Sequence, residues 1–293
     1  MTQAKIATMA MLETPRLRDL PPSAWRVAIL AGMASYLDAA AIITSGGALV
    51  LYRAHFGLSM AQIGQLSAVL TALFAIGALV GGRLGDRYGR RQVFTTTMVG
   101  LAAGAALLTF ATGVPMLYAG MIVVGFCIGA DLPVSMAMIA EEAPPGFKGR
   151  LVAFSHVLWM AAIGTTFVLQ MIVGGLGELG GRVMWAHVLL VAGLVLVLRA
   201  TVPESAEWQR ANAQRDDRDA QGERVHTSGL RQLFGPRYLG PFIALGLFYG
   251  VFNLAANTGG QFGTLLYTEL AGTSVSTAGL INTLQLLVSF VCA

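Results

Sequence analysis

Charge is what this sequence has least of: Asp, Glu, Lys and Arg together make up 12% of its 293 residues. A soluble domain of this length needs far more charge to keep its surface in water. Cysteine is nearly absent too. Cys127 and Cys292 both fall in apolar runs, where they act as small hydrophobes, so a disulfide framework is excluded. No His-x-x-x-His pair and no Cys-His cluster occurs, which argues against an intramembrane metalloenzyme or a nucleophilic enzyme. A G-x-x-x-x-G-K loop is missing as well, so no nucleotide is expected to supply energy and no cofactor is expected at all. The first 20 residues lack a cleavable apolar core, so the first long apolar run is expected to stay in the mature protein.

Apolar residues fill the space that charge leaves, with 55% of positions hydrophobic, 36 glycines and a mean hydropathy of +0.67. Runs of about twenty apolar residues, enough to cross roughly 30 Å of hydrocarbon as helix, recur along the chain. They predict membrane-spanning helices near 26–50, 62–82, 92–112, 116–140, 151–174, 184–202 and 238–268, with an eighth starting near 275. Of the 19 Lys and Arg residues, all but Arg53 and Arg182 fall on one side of the membrane if the N-terminus is inside. Cytoplasmic loops retain positive charge, so this orientation is the expected one. The basic balance is therefore topology rather than a nucleic-acid surface, and no nucleic-acid partner is expected.

Loops between the first six segments are short, whereas the stretch from 203 to 237 is long and hydrophilic. The expected organisation is all-α and polytopic. A cytoplasmic tail (1–25) precedes a complete N-terminal six-helix bundle (26–202), followed by a cytoplasmic linker (203–237) and a partial second bundle (238–293). Spacings such as Gly77 with Gly81, Gly100 with Gly104 and Gly125 with Gly129 suit close helix packing in lipid. The closing "QLLVSFVCA" carries no polar flank, so a longer native chain is expected.

The stretch "GGRLGDRYGRR" at 81–91 concentrates charge between two apolar segments. Topology alone would need only its arginines. The pattern G-x-x-x-D-R-x-G-R-R, formed by Gly82, Asp86, Arg87, Gly89, Arg90 and Arg91, also spaces glycines for a tight turn and sets an aspartate where it can cap a helix or pair with arginine. It resembles the signature between the second and third helices of the major facilitator superfamily of secondary transporters. "GFCIGADLPVSMAMIAEEAPPGFKGR" at 125–150 is similar to the family's fourth-helix segment, placing Glu141, Pro144, Lys148 and Gly149 on its pattern. "VPESAEW" at 202–208 resembles the P-E-S motif that closes the sixth helix in the sugar-porter and organic-acid branches. The resemblance implies a cytoplasmic charge network that holds two six-helix halves together in one facing state and releases in the other. Its members would be Asp86, Arg87, Arg90, Glu141, Lys148, Arg150 and Glu204, with Gly82, Gly89 and Arg91 shaping the loop.

Ionisable residues inside a membrane are costly and usually functional. Asp38 lies 12 residues beyond Arg26 and Asp131 lies 10 before Glu141. At 1.5 Å per residue both should sit about 15–18 Å deep, near the midplane. In the resembled fold the first and fourth helices line the central cavity, so both acids are expected to face it as proton-coupling groups. Pro133 should disrupt the fourth helix beside Asp131. Further cavity candidates are Tyr36, His156, Gln170, Asn253, Asn257 and Gln261; the last three recur every four residues on one helical face. Trp159 could add aromatic surface.

Two departures bear on the substrate. The sugar-porter branch has an arginine on the fourth helix where this chain has Met121, and the seventh segment lacks that branch's paired glutamines. "GADLPV" looks closer to organic-acid and aromatic-acid symporters, including bacterial niacin transporters, although no basic residue is expected within segments 1 to 7. The expected function is import of a small organic metabolite, an organic or aromatic acid favoured, by proton symport through alternating access. A sugar:proton symporter of the same fold is the alternative, and a truncated, non-transporting fragment is another. A seven-helix receptor would place the N-terminus outside, against the arginine count. The expected setting is a bacterial inner membrane, with lipid, protons and a small molecule as partners and a monomer when complete.

Overall fold

The computed structural model describes residues 20–199, 204–220 and 235–292, all helix and connecting turns. Most of the expected N-terminal tail and residues 221–234 of the linker lie outside them. Six helices form the first bundle: α1 (Pro22–Phe56), α2 (Met60–Tyr88), α3 (Arg90–Thr109), α4 (Val114–Glu142), α5 (Lys148–Val173) and α6 (Glu178–Arg199). Helix α7 (Ala206–Ala220) belongs to the linker, and α8 (Pro236–Leu270) and α9 (Val275–Cys292) follow. Among the described residues seven helices are long and apolar enough to cross a membrane, and Val275–Ser289 is a shorter apolar one. The chain is a multi-pass membrane protein.

Local chemistry sets the ends. Pro22 opens α1, where its missing N–H costs nothing, and Gly57 closes it at φ 64° in the left-handed region. The Ser59 hydroxyl accepts from the Gln62 N–H while the Gln62 side chain accepts from the Ser59 N–H, a reciprocal cap that starts α2. A 3-10 turn, Gly174–Leu176, joins α5 to α6. Helix α6 therefore begins at Glu178, earlier than expected, and Arg182 is helical rather than in a loop. Arg182 can be carried there because it pairs with Glu178 one turn back at 2.6 Å and donates to the Ala111 carbonyl. Helix α4 continues through Pro133, so the disruption expected beside Asp131 is limited to the one helical hydrogen bond that a proline cannot donate.

Helix α1 is the axis of the bundle. It packs on α4, α5 and α6 and buries Leu37, Leu49 and Tyr52. The Tyr52 hydroxyl donates to the Leu108 carbonyl of α3. Helices α2 and α4 meet backbone to backbone, because a Cβ at Gly77, Gly81, Gly125 or Gly129 would run into a main-chain atom of the opposite helix. Helix α8 buries only Gln261 and Thr264, both in its second half, where it lies on the first bundle. Nearer its start, residues 236–252 are exposed apart from the half-buried Leu239.

Candidate functional site

At the end where α2 passes into α3, Gly89 alone connects the helices, at φ 100°. Asp86 is consequently inside α2, in its last turn. The carboxylate of Glu204 caps α3 instead, accepting from the N–H groups of Arg90 at 2.9 Å and Arg91 at 3.1 Å. A Cβ on Gly89 would stand 2.5 Å from that carboxylate, so the glycine is needed both for its φ and for the space. The Arg90 guanidinium bonds Asp86 at 2.7 Å and Glu141 at 2.9 Å, and the Trp208 indole donates to the Asp86 carbonyl at 3.0 Å. Arg87 lies against the Tyr88 ring and Arg150 against Phe147. Lys148 and Arg87 join no ion pair of this cluster among the described residues. Gly82 has open space around its Cα, so it sets no close contact. The described cluster ties α2, α3, α4 and the segment before α7; it does not reach α8.

Deeper in the same end, Arg199 is fully buried and forks onto Asp131, with Nη1 at 2.9 and 3.0 Å from the two carboxylate oxygens. Thr97 donates to the same carboxylate at 3.0 Å and Ser135 at 3.3 Å. The guanidinium also donates to the Leu30 carbonyl at 3.0 Å and lies 3.2 Å above the Phe94 ring. Two expectations are corrected here. A basic residue does stand inside the first six helices, and Asp131 does not share a cavity with Asp38. Asp131 sits level with Leu30, about 12 Å along α1 from Asp38, in a closed pair among α1, α3, α4 and α6.

Asp38 faces a cavity of about 460 Å³ between α1, α2, α4, α5 and α8. A second cavity of about 510 Å³ continues along α8 and α9 past Tyr267, Asn282 and Gln285. Ile42, Trp159, Ala256 and Asn257 border both. The Trp159 indole N–H donates to Asp38 Oδ2 at 3.3 Å, and Oδ1 has no hydrogen-bond partner among the described residues. His156 stacks on Trp159, ring centroids 5.2 Å apart and planes 8° from parallel. Asn253, Asn257 and Gln261 line the Asp38 cavity on one face of α8; Asn257 donates to Asn253, and Gln261 donates to Thr71 of α2 at 3.1 Å.

Two cavity candidates are displaced. The Tyr36 hydroxyl is 2.9 Å from His187 Nε2 of α6, on another side of α1 from the cavity. Gln170 is fully buried and bonds Thr264 of α8 at 2.9 Å and the Val275 carbonyl at 3.4 Å, so it joins helices instead of lining space. Around it the far end is closed. Gly46 of α1 touches the Gln261 backbone, Gly174 and Gly279 let α5 and α9 meet, and Arg53 of α1 is ion-paired with Glu269 of α8.

Residues 28–293 match the Major Facilitator Superfamily. The chain belongs to that family. Among curated proteins it is 35% identical over 259 residues to the minor myo-inositol transporter of Bacillus subtilis, covering 87% of this chain and 58% of that protein. It is 32% identical over 235 residues to the 3-(3-hydroxy-phenyl)propionate transporter of Escherichia coli, covering 76% and 50%. Among solved structures, a D-xylose-proton symporter superposes with a TM-score of 0.69 at 20% identity, over 90% of this chain and 66% of that one. The chain thus spans about half to two thirds of the length of these three proteins, and the likeness to the symporter concerns the fold. The charged stretch at 81–91 forms a helix junction, with Gly89 as its turn and Glu204 as its cap. Arg199, Trp208 and Thr71 were the participants that the sequence concealed. Arg199 read as one more cytoplasmic arginine, and only its hydropathic context in "LVLVLRA" hinted at burial.

Proposed function

We propose that the protein is a secondary active transporter that moves a small neutral polyhydroxylated metabolite, of the polyol or sugar class, together with a proton by alternating access. The observation that carries the substrate class is the lining of the two cavities. It offers amides, hydroxyls, an indole, one imidazole (His156, stacked on that indole) and one carboxylate, and it includes no Lys or Arg. A carboxylate substrate entering beside Asp38 would need a cation, and Arg199, the buried Lys or Arg among the described residues, is already committed to Asp131. Hydroxyl groups, by contrast, can be matched by Asn253, Asn257, Asn282 and Gln285. The 35% identical relative named a myo-inositol transporter supports the same class, which moves the preference away from the organic acid expected from "GADLPV".

Asp38 is the proton carrier in this proposal, being buried and bordering the cavity with one oxygen free. The cluster of Asp86, Arg90, Glu141 and Glu204 sets the balance between facing states. With the N-terminus in the cytoplasm, the closed far end is external and the arrangement faces inward. The test is uptake of labelled myo-inositol into proteoliposomes under an inward proton gradient. Accumulation should collapse with a protonophore and be absent in Asp38→Asn. Accumulation of an aromatic carboxylate with no polyol uptake would instead favour the relative that carries 3-(3-hydroxy-phenyl)propionate in its name.

A further inference from the structure

The proton-binding carboxyl and the space for substrate meet at one side chain. Trp159 borders both cavities, and its Nε1 donates to Asp38. An indole N–H is a donor only, so it cannot carry the proton itself; it can only favour the ionised carboxylate over the neutral one. The contact is 3.3 Å, longer than the roughly 2.7–2.9 Å of a tight charge-assisted bond, so it is slack enough to be exchanged for another acceptor. His156 stacked on the indole holds the ring plane, leaving rotation or sliding of the ring edge as the available motion. Asn257, also on the border of the two spaces, is placed to hold a hydroxyl beside that edge.

We propose that Trp159 is the coupling residue of this cavity, its indole N–H shared between the Asp38 carboxylate and a hydroxyl oxygen of the bound polyol, so that ligand and proton are taken up together. The inference rests on the polyol reading and specifies how that site is regulated. In the empty cavity the N–H stabilises ionised Asp38. When a ligand hydroxyl accepts the N–H, the carboxylate loses its donor and takes a proton from water. When the ligand leaves, the N–H returns and the proton is released to whichever side the cavity faces. Among the described residues no other charged side chain lines either cavity. The titratable neighbours are His156 on α5, stacked on the ring, and Tyr249 and, in the second cavity, Tyr267 on α8. On α4 Asp131 is held by Arg199 of α6, and His187 of α6 faces Tyr36. Helix α2 offers Leu70, Thr71, Phe74 and Ala75, none of which titrates.

The experiment compares the wild type, Trp159→Phe and Asp38→Asn, each the whole chain, for calorimetric binding of myo-inositol across pH. One proton taken up with the ligand weakens wild-type affinity by up to about tenfold per pH unit once Asp38 is ionised. Trp159→Phe keeps a ring for His156 and loses the donor, so its affinity should vary less than about twofold per unit in that window. A Trp159→Phe slope equal to the wild type, with the slope lost only in Asp38→Asn, overturns the role of the indole. Absence of any polyol binding would count against the substrate reading and leave a ligand-free readout to decide this one. The carboxyl infrared band that disappears in Asp38→Asn should titrate at higher pH in Trp159→Phe than in the wild type, and an unchanged midpoint overturns the inference. Should Trp159→Phe not fold, the indole N–H Raman band of the wild type should shift with pH and that shift should vanish in Asp38→Asn; a band insensitive to pH overturns it equally.

Discussion

Arg199 stands at the C-terminal end of α6 with none of its side chain exposed. Its guanidinium meets the Asp131 carboxylate, the Leu30 and Ala31 carbonyls and the face of Phe94, which satisfies the fork and the ring-stacking habit of arginine together. Removing one member of such a pair leaves a buried charge uncompensated and costs about 3–5 kcal/mol. Arg199→Met should therefore lower thermal stability sharply, whereas Arg199→Met combined with Asp131→Leu should recover much of the loss. Differential scanning fluorimetry in one detergent would check both, and equal losses in the single and double variants would contradict the assignment. Asp131 was legible in the sequence as an intramembrane acid. Its partner was not, because an arginine at the end of an apolar run reads the same whether it snorkels to the interface or turns inward. Asp38 was legible as an acid inside an apolar helix, and the structure sets it on a cavity with the Trp159 indole donating to it. Tyr36 and Gln170 misled for the opposite reason: polarity marks a residue that needs a partner, and the partner can be another helix as easily as a cavity.

Among the elements, α3 depends most on distant sequence. Its first turn exposes N–H groups that local residues cannot satisfy, since Gly89 has no side chain, and the Glu204 carboxylate supplies the acceptor from the far side of three further helices. Replacing that carboxylate with an amide retains shape and removes charge from a helix N-terminus. Glu204→Gln should cost about 0.5–2 kcal/mol and raise hydrogen exchange at the Arg90 and Arg91 amides while leaving the amides of α5 unchanged. The existence and order of the helices were readable from apolar run length, and the motif at 81–91 was readable as a junction. The bounds were less so. Helix α6 begins earlier than its apolar run because Arg182 can be carried into the helix once Glu178 and Ala111 satisfy it. Pro133 leaves α4 intact because the helix is packed on both sides by α2 and α3.

At the scale of the molecule, the first bundle meets the second half of α8 through Gln170, Gln261, Gly46 and the Arg53–Glu269 pair, and nowhere in the described residues through the cluster around Arg90. Both members of the Arg53–Glu269 pair are more than a third exposed, so solvent limits the pair to about 0–1 kcal/mol. Arg53→Ala should thus shift the balance of facing states by no more than about fivefold. A cysteine introduced at Gln261 should become at most that much more reactive towards a thiol reagent added from the far end. A tenfold or larger change would mean that the pair holds the closure alone. Apolar run length and the long hydrophilic stretch after the sixth run revealed the six-helix unit, but this contact surface was hidden, because small and amide residues that seal one helix against another carry no signal of which helix they seal.

Asp131 and Arg199 are 68 residues apart, with a complete helical span between them. A ribosome working at roughly 5–20 residues per second makes the acid several seconds before the base. During that interval α4 is in or entering the bilayer with a carboxyl that has no cation to meet it. Thr97 and Ser135, which are already made, are the donors that can hold it through the wait. The arrival of α6 then brings the guanidinium that completes the ion pair. Completion of the first bundle is in this sense an electrostatic event as well as a packing one, and the last residue of its last helix is the one that completes it.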